Sequence, residues 1–162
     1  MGGWTSADRI ADIQLDEKYV VRHNPTVAHE RASAIYDLLQ ENRFRPVVWQ
    51  GEGPFTLRIS IVEGKRLCFA VRDREKHELG EVILALSSFR ALVRDYFQIC
   101  ESYYDAIRRL SPSRIEAIDM ARRGLHDEAA ALLRERLAGK LDVDIATARR
   151  LFTLICVLHI QG

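Results

Sequence analysis

Ten residues near the end of the chain, "LFTLICVLHI" from Leu151 to Ile160, contain only two polar side chains, Thr153 and His159. As a helix this stretch is apolar on every side, and such a helix has to be buried on every side. It has about half the length needed to cross a membrane, so its cover has to be protein. In a chain of 162 residues two arrangements supply that cover. One is a central helix wrapped by the rest of a single domain; the other is a terminal helix sealed by a second subunit. Self-association through this helix is the expected contact, and any further protein partner is unknown.

The rest of the chain divides by hydrophobic period. In "FTLRISIV", Phe55, Leu57, Ile59 and Ile61 alternate with Thr56, Arg58 and Ser60; in "RLCFAVRD", Leu67, Phe69 and Val71 alternate with Cys68, Ala70 and Arg72. A period of two is that of a sheet with one buried face. Gly64 in the short connection favours a tight hairpin. "ADRIADIQLDE", "RPVVWQ" and "EVILAL" read as further strands. A helix is expected after Asn24 as N-cap and Pro25 at the first helical position, with Val27, Ala34, Ile35, Leu38 and Leu39 as its stripe.

From Ser87 onward the period becomes three and four. A long helix carries Phe89, Leu92, Val93, Tyr96, Phe97, Cys100, Tyr103, Tyr104, Ile107 and Leu110 on one side. Pro112 interrupts it, and Ser113 with Glu116 fits a capping box. Gly124 is expected to end that helix and Gly139 the next, with Asp144 capping the last. The expectation is one α+β domain over residues 1–162. Its strand-rich part (1–86) holds one early helix and an antiparallel sheet of about five strands, and about four helices from residues 87–162 pack on it.

The strings "HERASAIYDLLQEN", "SFRALVRDYFQICESYYDAIR", "SPSRIEAIDMARRGLH" and "TARRLFTLICVLH" resemble the hallmark blocks of a family of short alphaproteobacterial proteins with no assigned activity. The resemblance covers nearly the whole chain. It implies a cytoplasmic bacterial protein and assigns no functional residues.

Charge narrows the partners. Lys and Arg number 24 against 23 Asp and Glu, a formal net charge of +1. The first 86 residues hold 12 basic and 13 acidic side chains, the remainder 12 and 10. Neither part has the basic excess of a dedicated nucleic-acid binder. The start of the chain has no basic segment leading into an apolar run, so no secretory signal is read there, and a cytoplasmic location without membrane attachment is expected. Cys68, Cys100 and Cys156 are far apart, outside any CxxC or Cys/His spacing, and read as buried thiols of a reducing compartment.

Motifs for chemistry are scarce. "GEGP" lacks the glycine spacing and lysine of a phosphate loop, and "HERAS" departs from HExxH at Ser33. Neither a cofactor nor a metal is indicated. Two candidate sites remain. In "LALSSFRALVRD" a strand runs into a helix whose first turn offers Ser87, Ser88 and Arg90, with Arg94 one turn on. Together they suit a phosphate or carboxylate, from a small ligand or RNA. The second is a polar cluster of Glu101, Arg122, Arg123 and His126, in which an enzyme would use Glu101 and His126 for acid and base work if two helices fold back on each other. The leading expectation is a non-catalytic contact protein that forms a homodimer, with these two sites as alternatives.

Overall fold

A computed structural model describes residues 3–17, 25–109 and 111–161. Among them the order is β1 (Ile10–Leu15), α1 (Pro25–Gln40), β2 (Phe44–Pro46), β3 (Phe55–Val62), β4 (Arg66–Arg72), β5 (Glu78–Ala85), a 3-10 turn (Leu86–Ser88), α2 (Arg90–Arg108), α3 (Pro112–Leu137), β6 (Leu141–Val143) and α4 (Ile145–Gln161). The architecture is α+β, as the change of period at Ser87 implies.

The main sheet has the order β1-β3-β4-β5. The alternating segments form its centre: β3 and β4 pair antiparallel from Thr56–Arg72 to Val62–Arg66, and β4 and β5 continue the meander. Their turn has positive φ at Glu63 (56°) and Gly64 (65°), and the Lys65 amide donates to the Val62 carbonyl at 3.1 Å. Two successive left-handed residues match the twist of the strands they join, which explains the glycine. The sheet is mixed, however, and not antiparallel throughout. The chain passes through α1 between β1 and β3, so β1 runs parallel to β3.

Two further expectations are corrected. "RPVVWQ" contributes only its first residues to β2, which pairs with β6, Phe44 facing Val143 and Pro46 facing Leu141. Val47 and Val48 stay exposed beyond it. Gly124 does not end a helix; α3 runs through it to Leu137. A helical glycine costs about 1 kcal/mol relative to alanine. Burial of Ala129, Ala130, Leu133 and Leu137 in phase with Leu125 outweighs that cost. Gly139, at φ +80°, lies just beyond the end of α3, as expected. No Ser113 capping bond is made, because Pro112 is already in the first turn and Ser111 is the N-cap. Asp144 does cap α4, its Oδ1 accepting from the Thr147 amide at 3.0 Å. The expected Asn24 cap and the Leu110 position lie outside the described residues.

Helix α4 is the centre of the molecule. Ala148, Leu151, Phe152, Leu154, Ile155, Cys156 and Val157 are completely buried, covered by α1 and α3 with contributions from α2 and β3. From Ala148 to Leu158 its apolar side chains are thus buried within one chain. Phe152→Ala is expected to lower the free energy of unfolding by about 3–5 kcal/mol, measured by urea denaturation. A loss below about 1 kcal/mol would mean that α4 is not the core.

Candidate functional site

The buried stripe of α1 is Val27, Glu30, Ala34 and Leu38. One of its four positions is a carboxylate, only 7% exposed. A charge so placed needs strong partners, and α2 and α3 supply them. Tyr96 and Tyr104 each donate a phenol proton to Glu30, at 3.1 Å and 2.9 Å. The Arg122 guanidinium lies 3.6 Å from the same carboxylate, binds Asp119 at 3.2 Å and covers the Tyr103 ring at 4.6 Å. Burial works against the charge on Arg122, but the Asp119 bond and the Glu30 charge outweigh it and hold its pKa above the usual value.

The two phenols are fixed as donors. Burial first, then the Glu30 charge, push Tyr96 well above the ordinary tyrosine range. Burial and the bond to Glu30 do the same to Tyr104. The thiol of Cys100, also buried and facing Glu30's charge, is pushed up to about 12. None of these groups is poised as a base or nucleophile at neutral pH.

Beside this cluster opens a cavity of about 250 Å³. Helix α1 lines it with Glu30, Ser33, Ala34 and Asp37, and α2 with Tyr96; α3 adds Arg122, Arg123 and His126, and α4 adds Arg149, Arg150 and Thr153. Most charges around it are paired: Arg123 with Asp119 at 2.9 Å, and Arg149 with Asp127 at 3.3 Å. Arg150 donates from Nη1 to the Ala146 carbonyl at 3.0 Å. Its Nε is buried with no hydrogen-bond partner.

His126 has a defined tautomer. Its Nε2 lies 2.6 Å from the Arg149 carbonyl oxygen, which only accepts, so that nitrogen carries the proton and Nδ1 the lone pair. The Thr153 hydroxyl, 3.1 Å from the same nitrogen, has its own acceptor in the Arg149 carbonyl at 3.3 Å. Burial lowers the His126 pKa, helped by the charges of Arg149 and Arg122 and opposed by the carbonyl bond and Glu30.

The polar cluster expected from sequence is thus brought together in part. Arg122, Arg123 and His126 share the cavity. Glu101 is exposed on α2 and does not line it; the buried carboxylate of the cluster is Glu30. A charged residue in the apolar stripe of "TVAHERASAIYDLL" is the sequence signal that marks it. At the strand-to-helix junction both arginines have partners of their own. Ser87 and Ser88 lie in the 3-10 turn, and Phe89 caps α2 without any side-chain bond. Arg90 donates to the Gly64 carbonyl at 2.7 Å, and Arg94 to Asp95 at 3.3 Å. Among the described residues no group of three or more His, Cys, Asp or Glu side chains could hold a metal ion, and no helix is long and apolar enough to cross a membrane.

This is an α+β protein whose helices enclose a buried Tyr–Glu–Arg cluster and, next to it, a polar cavity that four arginines help to line. The chain belongs to the family described as "Uncharacterised protein family (UPF0262)", whose model matches residues 7–161. It is 57% identical over 161 residues to the UPF0262 protein of Rhodospirillum rubrum, covering 99% of this chain and 98% of that one. It is 54% identical to those of Rhizobium etli (95% of this chain, 96% of the relative) and Erythrobacter litoralis (95% and 98%). No solved structure matches the chain.

Two outcomes are expected from this geometry. Glu30→Ala takes the acceptor from the buried Tyr96 phenol and the half-buried Tyr104 phenol and leaves Arg122 with Asp119 alone, and should cost about 3–5 kcal/mol in urea unfolding. Tyr104→Phe, which removes one donor at a half-buried position, should cost about 1–2 kcal/mol. For pH the sign follows from His126: the folded state binds its proton more weakly than the unfolded chain, whose pKa is about 6.5. The contribution of the neutral ring is fully present above that value and is lost as the pH falls below it. Lowering of His159 by burial and by Arg90 acts in the same direction. Unfolding at pH 7.5 and 5.5 should show His126→Gln with a smaller pH dependence than the parent; an equal dependence would contradict the assignment.

Proposed function

We propose that this protein binds a small anionic molecule, a carboxylate or phosphate, in the cavity between α1, α3 and α4. The observation that carries the reading is Arg150, whose Nε is buried without a partner at a wall already furnished with Arg122, Arg123 and Arg149. A buried donor left unsatisfied costs about 1–3 kcal/mol, and native proteins rarely keep one without a reason. A guanidinium meets a carboxylate or phosphate best through two parallel N–H groups. Because Nη1 is committed to Ala146, the Nε and Nη2 edge is the pair to be offered when the side chain turns toward a ligand. The cavity, about 250 Å³, is below the usual size for drug-like ligands and suits a metabolite of few heavy atoms.

The reading is one of binding without catalysis. Glu30 accepts from two phenols and is ion-paired with Arg122, the phenols stay protonated, and the three cysteines are buried thiols. Buried free thiols also support a cytoplasmic location. A second reading, a self-associating contact protein, is favoured by β5. It is an edge strand of the main sheet, with Ile83 50% exposed on it, and exposed edges invite pairing with another chain. On that reading the dimer forms through β5 rather than α4, and Ile83→Lys should convert a dimer to a monomer by native mass spectrometry.

The anion reading is tested by thermal unfolding with inorganic phosphate, acetate, succinate and citrate. At least one should stabilise the protein, by about 2.7 kcal/mol when present at 100 times its dissociation constant. Arg149→Ala with Arg150→Ala should remove the shift, and Arg90→Ala with Arg94→Ala should keep it. No shift with any anion, or a shift that survives the first pair of substitutions, would overturn the proposal.

A further inference from the structure

The charges around the cavity are sorted by helix. Its four arginines come from α3 and α4, and its two carboxylates, Glu30 and Asp37, come from α1. Seven residues separate the two acids, two helical turns, so they follow one another along the same face. Three of the arginines have carboxylate partners: Arg122 has Glu30 and Asp119, Arg123 has Asp119, and Arg149 has Asp127. Glu30 is fully engaged. That leaves one cation, Arg150, and one anion, Asp37, each without an ion pair among the described residues and each lining the same cavity.

Opposite charges that share a small cavity ordinarily pair, because the attraction grows as water is displaced. Arg150 and Asp37 do not come within ion-pair distance of each other. The space between them has a positive end against α4 and a negative end against α1, with the Ser33 and Thr153 hydroxyls also on its walls. A purely anionic ligand satisfies Arg150 but is repelled by Asp37. A ligand with a carboxylate at one end and an ammonium at the other satisfies both.

We infer that the ligand is amphoteric, a small amino-carboxylic acid held by its carboxylate at Arg150 and by its ammonium at Asp37. This rests on the proposed function and narrows it from anions in general to one chemical class. Asp37 acts as a specificity residue. It is exposed in the free protein, so its effect is that of a partly solvated pair and grows only as the ligand covers it.

Isothermal titration calorimetry on the full chain tests this with matched probes. These are the common α-amino acids and the ω-amino acids from glycine to 6-aminohexanoate, each beside the carboxylate lacking the amine and the amine lacking the carboxylate. At least one amino-carboxylate should bind about fivefold or more tightly than either matched fragment. Asp37→Asn, a near-isosteric change at an exposed position, should bring that ratio close to one, the amino-carboxylate losing its ammonium partner while the plain carboxylate gains slightly as the repulsion is removed. Arg150→Lys, which keeps the charge and loses the two-pronged edge, should weaken both. If plain carboxylates or phosphate bind as well as the amino-carboxylates, and Asp37→Asn does not weaken the amino-carboxylates, the ligand is simply anionic; the inference then fails while the proposed function stands. If no probe binds and the anions also have no effect, both fail together.

Discussion

The carboxylate of Glu30 is the constraint around which the helical half is arranged. A charge in the buried stripe of α1 is tolerable only if donors reach it from the helices packed on that stripe. Here they come from two elements distant in sequence: Tyr96 and Tyr104 from α2, and Arg122 from α3. The contact joins an N-terminal helix to the C-terminal group with directional bonds, where apolar packing alone leaves helices freer to slide. It also sets side-chain positions beyond itself. Arg122 is held between Glu30, Asp119 and the Tyr103 face, and Tyr96 packs against the His126 ring at 5.0 Å.

Around that cluster, α4 divides into two parts with different roles. From Leu154 to Leu158 it is core. One turn earlier it presents Arg149, Arg150 and Thr153 to the cavity, while Leu151 and Phe152 remain buried between them. The same helix therefore supplies a fully buried core segment and one wall of a polar cavity. Arg149 takes part through its backbone as well: its carbonyl accepts from His126 and fixes the tautomer. The backbone of α4 thus orients a histidine on α3.

Much of the fold was legible because it is written in local periods. The alternation around Ile59 and Phe69 defines the central strands, Gly64 their turn, Asp144 the start of α4, and the stripe from Phe89 to Ile107 helix α2. What was not legible depends on contacts remote in sequence. The two three-residue strands β2 and β6 have no period to show; each exists because the other, about 97 residues away, completes its hydrogen bonds. The parallel course of β1 depends on where α1 returns the chain. At the site, Arg122, Arg123 and His126 could be grouped from sequence because they lie within five positions of one another. Glu101 is their acid only if α2 and α3 turn it toward them, whereas the acid that occupies the cluster lies 92 positions before Arg122, in a stripe where periodicity alone predicts an apolar residue.

The glycine at position 124 links these two kinds of reading. A break there would end one helix just after Arg123 and start another near His126, pointing the two basic groups in unrelated directions. Because α3 continues through Gly124, Arg122 and His126 are spaced by one turn along a rigid face, one toward Glu30 and the other toward the Arg149 carbonyl. The local preference of glycine is outweighed by the packing of Ala129, Ala130, Leu133 and Leu137 further along the helix. The cavity's α3 wall is thus a consequence of apolar burial further along the same helix, and the polar site inherits its geometry from the core.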